Sequence, residues 1–376
     1  MDRNPIALSA YGLNLRRVVF HGACCMVFLL LAGCASNAPA STAGSGASTP
    51  RPTATATMAP TATPTPNFPT LSKALLTYNG HGKAVVGIAW SPDGKEMVSG
   101  SDDYTVQAWS TQTGKQVWSY NTGSYVFAVA WSPDGKEIAA GGGDGSVTLL
   151  NAATGKLIAN YTGQTGFIQG LAWSPDSKRI ASGSEDGTVL VRDAASGRVM
   201  VNYTGHSSAV QRIAWSPNGT DIASASYDGT VQIWNASNGQ HVLTYKGNGA
   251  PVWMVAWSPD GKKIVSSTGS AGTNGPVSSG NTVKVWDATT GQTLLTYTGY
   301  GDANNIYALA WSRDSKLIAS GGDDNMVRIW NATTGQTIMA YKGHTDIVWN
   351  VVWSPDGKLI ASCSQDATVQ IWQPQL

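Results

Sequence analysis

The chain has 376 residues, with 24 Lys and Arg against 23 Asp and Glu, for a formal net charge of +1. No basic stripe is available to neutralise phosphates, which excludes nucleic acid as a partner. Four Cys in so long a chain also exclude a disulfide framework.

The first element spans residues 1–33. Arg16-Arg17 forms a basic flank, Val18–Leu31 is mainly apolar, and Leu31–Cys34 reads "LAGC". Together they describe a secretory signal peptide. A Cys directly after Leu-Ala-Gly resembles the bacterial lipobox. That resemblance implies cleavage before Cys34 and lipid on its sulfur, giving a secreted lipoprotein held by its lipid on the outer face of the cell membrane. An uncleaved anchor is the competing reading, since Val18–Gly33 falls only slightly short of a membrane span. Removing residues 1–33 takes away Arg3, Arg16, Arg17 and Asp2, so the mature chain stays near neutral. Cys24 and Cys25 leave with it, and Cys363 is then the one remaining thiol, read as a small buried apolar residue.

Residues 34–71 follow as a Ser/Thr/Pro/Ala-rich stretch in which Arg51 is the only charge. Such a segment cannot bury a core and is expected to be a disordered tether. Extended at ~3.1 Å per residue it would reach on the order of 100 Å.

Residues 72–376 are organised differently. The octet "IAWSPDGK" at 88–95 returns six times in close variants, with tryptophans at Trp90, Trp131, Trp173, Trp215, Trp257, Trp311 and Trp353. The steps between them are 41, 42, 42, 42, 54 and 42 residues. A fixed step near 42 marks a repeat architecture. Within each unit the period is two, and Pro-Asp-Gly supplies turn chemistry between strands. Four strands per unit can be placed; in the fourth unit they are 210–216, 221–226, 230–235 and 241–245. One such sheet has two edges and cannot bury both faces alone, so the units are expected to pack radially as a propeller. The last unit lacks its fourth strand, and "LLTYNG" at 75–80 matches the fourth strands elsewhere. Leu75–Tyr78 is therefore expected to complete the last blade and close the ring.

These units resemble WD40 repeats over roughly residues 72–373. The resemblance implies an all-β fold, a seven-bladed WD40-type β-propeller closed by an N-terminal strand completing the last blade. It rests on Gly-His pairs, turn Asp residues and third-strand Trp residues: His81, Asp103 and Trp109 in the first unit, His206, Asp228 and Trp234 in the fourth, His344, Asp366 and Trp372 in the seventh. In the family these residues hydrogen-bond across one blade with a strand Ser or Thr, so a structural role is implied. The second unit has Leu150 and the third Arg192 in place of the second Trp, while the fifth has lost both His and Asp. These three blades are expected to lack the network and to be looser.

One slot varies among otherwise similar units. Four residues before the octet Trp the chain holds Val86, Phe127, Gln169, Gln211, Trp253, Tyr307 and Trp349. By resemblance this slot opens on the top face around the central channel, where the family often binds peptides. Carboxylates precede the turn Asp in three units, as Asp102, Glu185 and Asp323. The fifth unit also carries a ten-residue insertion within "STGSAGTNGPVSSGN", and loops on rigid scaffolds are where function varies. Phe127, Trp253, Tyr307, Trp349, Asp102, Glu185 and Asp323 are thus the candidate ligand-binding residues. Aromatic anchors with a few carboxylates suit a basic or amphipathic peptide; a glycan stacked on the rings is the alternative. Packing of the channel mouth is the plain structural explanation of the same aromatics.

Nothing in the sequence assembles a nucleophile, base and oxyanion donors, and the one uncommitted His, His241, lies on an outer strand. The expectation is a monomeric, non-enzymatic binding or scaffold protein with a protein or peptide partner, anchored to membrane through Cys34, and with no metal or cofactor. A propeller hydrolase is the remote alternative.

Overall fold

The computed structural model describes residues 68–269, 282–300 and 305–376. The expected signal peptide, Cys34, the tether up to residue 67 and most of the fifth-unit insertion lie outside these residues. The described residues form twenty-nine strands and no helix, arranged in seven sheets. Each sheet is a blade of a β-propeller, and in blades 1 to 5 four strands run outward from the channel in chain order. In blade 4 they are Val210–Trp215, Asp221–Ser226, Val231–Asn235 and His241–Tyr245, within one residue of the expected bounds.

The ring closes as the repeat count requires. Leu76–Tyr78 pairs antiparallel with Val369–Trp372, in the register Leu76↔Ile371, Thr77↔Gln370 and Tyr78↔Val369. The blade formed by Val348–Trp353, Ile360–Ser364 and Val369–Trp372 thereby gains its outer strand from the start of the domain. One boundary differs from the expectation. Thr70 and Leu71, placed in the tether, instead pair parallel with Thr337–Tyr341 and make blade 6 five-stranded. The Ala340 N–H donates to the Pro69 carbonyl at 2.9 Å and the Lys342 N–H to that of Leu71 at 2.7 Å. An outer edge offers unpaired backbone groups to any extended chain beside it, which a reading of composition does not register.

The octet's chemistry is that of a tight hairpin. In the first copy the Gly94 N–H donates to the Ser91 carbonyl at 2.9 Å, and Gly94 takes a φ of +72°. The Ser91 hydroxyl donates to Asp93 at 2.8 Å and accepts from the Glu96 N–H at 2.9 Å. Side chain and backbone thus share one turn, a type I turn followed by a left-handed glycine. The octet Trp ties neighbouring blades together. The indole N–H of Trp173 donates to the Ala130 carbonyl at 3.1 Å, Trp215 to Ala172 at 3.2 Å, and Trp311 to Ala256 at 3.1 Å. Trp90 reaches Val352 at 3.4 Å across the closing seam.

A second tie sits further out, and sequence reading missed it. The Tyr that ends an outer strand stacks on the third-strand Trp of the next blade: Tyr203 on Trp234 at 4.4 Å and 7°, Tyr297 on Trp330 at 4.3 Å and 2°, and Tyr78 on Trp109 at 4.5 Å and 5°. Trp118 serves the seam between blades 1 and 2, where its indole donates to the Ala152 carbonyl at 2.7 Å.

The polar network inside the blades is broader than the sequence suggested. In blade 1, His81 Nδ1 lies 2.9 Å from Asp103 and Nε2 lies 2.7 Å from Ser99, whose oxygen accepts from Trp109 at 3.2 Å. His206–Asp228–Ser224–Trp234 and His344–Asp366–Ser362–Trp372 repeat it. The third and fifth blades, expected to lack it, rebuild it with amides. Gln164 bonds Ser182 at 2.6 Å, and Asn248 bonds Ser266 at 3.1 Å while Trp286 donates to the same serine. An amide can replace an imidazole here because it too offers one donor and one acceptor. Only blade 2 abandons the device: Ala140 stands where Ser is needed and Leu150 where Trp is, both buried. Removing both partners avoids leaving an unpaired buried polar group.

Candidate ligand-binding face

All seven innermost strands begin with the same backbone irregularity. In blade 1, Val85 pairs with Ser101 and Gly87 with Gly100, so Val86 is an extra residue without a place in the ladder. The equivalent shift occurs at 127, 169, 211, 253, 307 and 349. The variable slot is therefore a ring of β-bulges. A bulge re-aims its side chain and frees it from cross-strand pairing, so the position can vary without disturbing the sheet.

Each bulge residue faces the residue sixteen further on, just before the turn into the third strand. Gln169 donates to Glu185 at 2.9 Å, and Trp349 donates to Gln365 at 2.9 Å. Tyr307 bonds the carboxylate of Asp323. For Trp253 and Phe127, whose rings fill the space, the partner is glycine. A Cβ on Gly269 would lie 2.6 Å from the Trp253 indole, and one on Gly143 would lie 3.4 Å from the Phe127 ring. In these five pairs ring meets glycine or polar group meets polar group, a signal present in the sequence once the spacing of sixteen is known.

The rings assemble into two arcs. One runs Tyr227–Trp253–Tyr307–Trp349 across blades 4 to 7, with centroid separations of 5.0, 4.9 and 4.8 Å. The other runs Tyr104–Tyr125–Phe127–Phe167 across blades 1 to 3, at 5.0, 5.9 and 5.4 Å. Of the candidate aromatics, Trp253, Tyr307 and Trp349 remain half-buried at the mouth, whereas Phe127 is only 4% exposed and lies beneath Tyr125 and Phe167. Tyr104, Tyr125, Phe167 and Tyr227 are members that the slot alone did not reveal.

The candidate carboxylates are turned inward. Asp102 is buried. Asp323 accepts from the Asn305 backbone N–H at 3.0 Å and side-chain amide at 2.9 Å. Burial raises the pKa of both Glu185 and Asp323 above the ordinary carboxylate value, against the lowering effect of their hydrogen bonds. These acids hold the mouth together more than they offer free charge to a basic ligand. Cys363, buried beside blade 1, has its thiol pKa pushed up by burial.

The mouth is filled by rings, so it offers a ridged surface. An open groove of about 450 Å³ lies elsewhere, on the rim between blades 3 and 4, lined by Asn202, Tyr203, Gln232, His241 and Thr244 among others. His241 bonds Thr244 at 2.7 Å there, and the lining holds no carboxylate to form a catalytic set. Among the described residues no group of three or more His, Cys, Asp and Glu could hold a metal ion.

Comparison with known families places the repeats. The family described as WD domain, G-beta repeat matches residues 239–287, 291–331 and 335–373. The family described as Echinoderm microtubule-associated protein second beta-propeller matches residues 85–246. The chain thus carries WD40 repeats within a β-propeller domain, an architecture that is generally a non-catalytic scaffold for protein interactions. Among curated proteins, ribosome biogenesis protein erb1 of Botryotinia fuckeliana is 41% identical over 56 residues, 15% of this chain and 7% of that one. The protein of the same name from Neurospora crassa is 40% identical over 57 residues, again 15% of this chain and 7% of the relative. The matched stretch is little longer than one repeat and covers 7% of these relatives' length, so the likeness is that of a repeat.

Proposed function

We propose that this chain is a non-enzymatic binding module that holds a protein or peptide partner on the channel-mouth face of its propeller. The observation that carries this reading is the bulge ring. Seven equivalent positions are released from the ladder, and three contiguous blades fill theirs with Trp253, Tyr307 and Trp349, which with Tyr227 of blade 4 make an arc of half-buried aromatic rings. Half-buried Trp and Tyr side chains are the usual energetic anchors of protein interfaces. A filled, ridged mouth suits an extended segment laid across it better than a small molecule needing enclosure. Lipid on Cys34 would keep the module on the outer face of the membrane, as the "LAGC" stretch and the Ser/Thr/Pro-rich residues after it suggest.

Proximity crosslinking on intact cells tests this, comparing the wild type with a Trp253→Ala/Tyr307→Ala/Trp349→Ala variant of equal thermal stability. A specific protein captured by the wild type and lost from the variant supports the reading. Identical capture by both reduces the arc to channel packing, and capture of glycan alone replaces a protein partner with a carbohydrate one. Metabolic labelling with a radioactive fatty acid, compared with a Cys34→Ser variant, tests the anchor: label on the wild type only is expected, and no label on either overturns it.

A further inference from the structure

The two aromatic arcs do not meet between blades 3 and 4. The gap is polar, with Gln169 and Gln211 at its bulge positions, and one charged side chain lies directly beneath. Three residues before the octet Trp the innermost strands hold Gly87, Ala128, Gly170, Arg212, Met254, Ala308 and Asn350, so Arg212 is the only charge in that ring. Its Nη1 donates to the carbonyl of Gln211 at 3.0 Å and to that of Gln169, spanning the gap. The guanidinium is walled in by the ring yet still partly touched by solvent, and burial pulls its pKa down to about 10. No described carboxylate pairs with it. A charge stripped of most of its water, with neutral carbonyls as its only partners among the described residues, is costly and incompletely satisfied.

Two further donors at the mouth are orphaned. The side-chain amide nitrogen of Gln211, a residue 2% exposed, and the indole nitrogen of Trp253 are both buried without a hydrogen-bond partner. They occupy adjacent bulges, in blades 4 and 5. The gap therefore presents a cationic donor and the Gln211 amide, and among the described residues it lacks an acid to complete them, while the Trp253 indole adds a third donor one blade further on. Gly269 packs on the same indole.

We infer that Arg212 receives an acidic side chain of the bound segment, an Asp or Glu carboxylate that enters the gap between the arcs while flanking apolar residues lie on the rings at either side. This rests on the channel-mouth reading above and names the chemistry that the partner must bring. A carboxylate is favoured over a phosphate because one guanidinium, already committed on one nitrogen, balances one negative charge. It departs from the basic peptide that the three acids suggested, since those acids are engaged within the ring.

The test uses the full chain in detergent micelles and a random twelve-residue peptide library displayed on phage. Peptides whose binding is lost with the Trp253→Ala/Tyr307→Ala/Trp349→Ala variant are retained and synthesised. The expected consensus is an acid flanked by apolar or aromatic residues. Replacing that acid with its amide should weaken binding to the wild type roughly 10- to 100-fold, the range for a hydrogen bond to a charged group. The same replacement should change little on Arg212→Gln, which identifies the pair as coupled. The peptide-side change leaves the protein intact, so it decides the matter even if Arg212→Gln folds poorly. Mouth-dependent peptides indifferent to the acid-to-amide change would overturn the role of Arg212 and leave the channel-mouth reading standing. Tighter binding of a phosphoserine peptide than of its Glu counterpart would replace the carboxylate with a phosphate. Recovery of no mouth-dependent peptide would remove both readings.

Discussion

The seven innermost strands obey opposite rules at their two ends. At the octet end the chain repeats Trp-Ser-Pro-Asp-Gly with few changes, and each element is used: Ser and Asp close the turn, Gly takes the left-handed backbone, and in four copies Trp bonds the neighbouring blade. At the mouth end the same strands hold Val, Phe, two Gln, two Trp and Tyr in one structural position. The difference lies in what the backbone requires. An octet residue is fixed by its own hairpin and by the blade beside it, whereas a bulge residue has no place in the ladder and meets only side chains at the mouth. Selection for a ligand can therefore act at the mouth without paying in fold.

The largest test of that contrast sets two tryptophans against each other. Trp234 is fully buried, stacked on Tyr203 and bonded to Ser224. Trp234→Ala should cost about 3–5 kcal/mol in urea denaturation, the range for deleting a large buried ring. Trp253→Ala, at a half-buried bulge with an unpaired indole nitrogen, should cost about 1 kcal/mol or less. Equal losses would break the contrast. Within the octet the tie itself can be weighed. Trp173 donates across the seam at 3.1 Å, while the buried indole nitrogen of Trp353 has no partner. Trp173→Phe should therefore cost about 1 kcal/mol more than Trp353→Phe, the net worth of one hydrogen bond.

Acid titration should separate the two ends by sign. The octet carboxylates Asp134 and Asp356 have pKa values lowered first by the adjacent serine hydroxyl, with help from the backbone N–H of the following Lys. Their stabilisation is present above the ordinary carboxylate pKa and is lost as pH falls through the lowered values, because the unfolded chain binds protons first. Glu185 and Asp323 at the mouth have raised values, chiefly through burial. Their ionised forms cost stability at neutral pH, and that cost is relieved as pH falls through the raised values. Glu185→Gln should accordingly leave the stability at pH 7 unchanged or raise it by up to about 1 kcal/mol. Asp356→Asn should lower it and flatten the acid limb below about pH 4. A destabilised Glu185→Gln protein would mean that its bond from Gln169 outweighs the burial.

Much of this architecture was legible from the chain alone, for a physical reason. Period-two runs, Pro-Asp-Gly turns and a 42-residue step are local signals, and a missing fourth strand with a spare copy upstream leaves one way to close the ring. What escaped depends on partners distant in sequence or on register. The Tyr ending each outer strand is visible in every repeat, yet its stacking partner belongs to the next blade. The bulge is invisible because nothing in "VVGIAW" says which residue loses its place in the ladder. Asn248 reads as a lost histidine, and Gln164 carries no signal at all, until their geometry shows an amide donor and acceptor in the same place. Thr70 and Leu71 are too few to register as a strand. At the mouth, the aromatic slot could be found by comparing units, but Arg212 could not, since its meaning lies in the absence of an acid beside it.

The smallest expected effect probes the octet's own exceptions. Ser177 and Ser315 stand where the other five copies have Gly, and both adopt the left-handed backbone, at φ of 59°. Such a conformation costs a residue with a side chain roughly 1–2 kcal/mol. Each serine has a compensating bond: the Ser177 hydroxyl accepts from the Asp134 N–H at 3.0 Å, and that of Ser315 from the Asp260 N–H at 3.1 Å, both across a seam between blades. Ser177→Ala keeps the strain and removes the bond, so it should lose about 1 kcal/mol. Ser177→Gly removes both, and the two terms oppose each other, leaving a change within about 0.5 kcal/mol. Thermal melts of the pair decide it. If Ala and Gly destabilise equally, strain is negligible and the bond alone explains the serine; if both are neutral, the seam does not depend on this contact and the octet end tolerates more variation than its repetition implies.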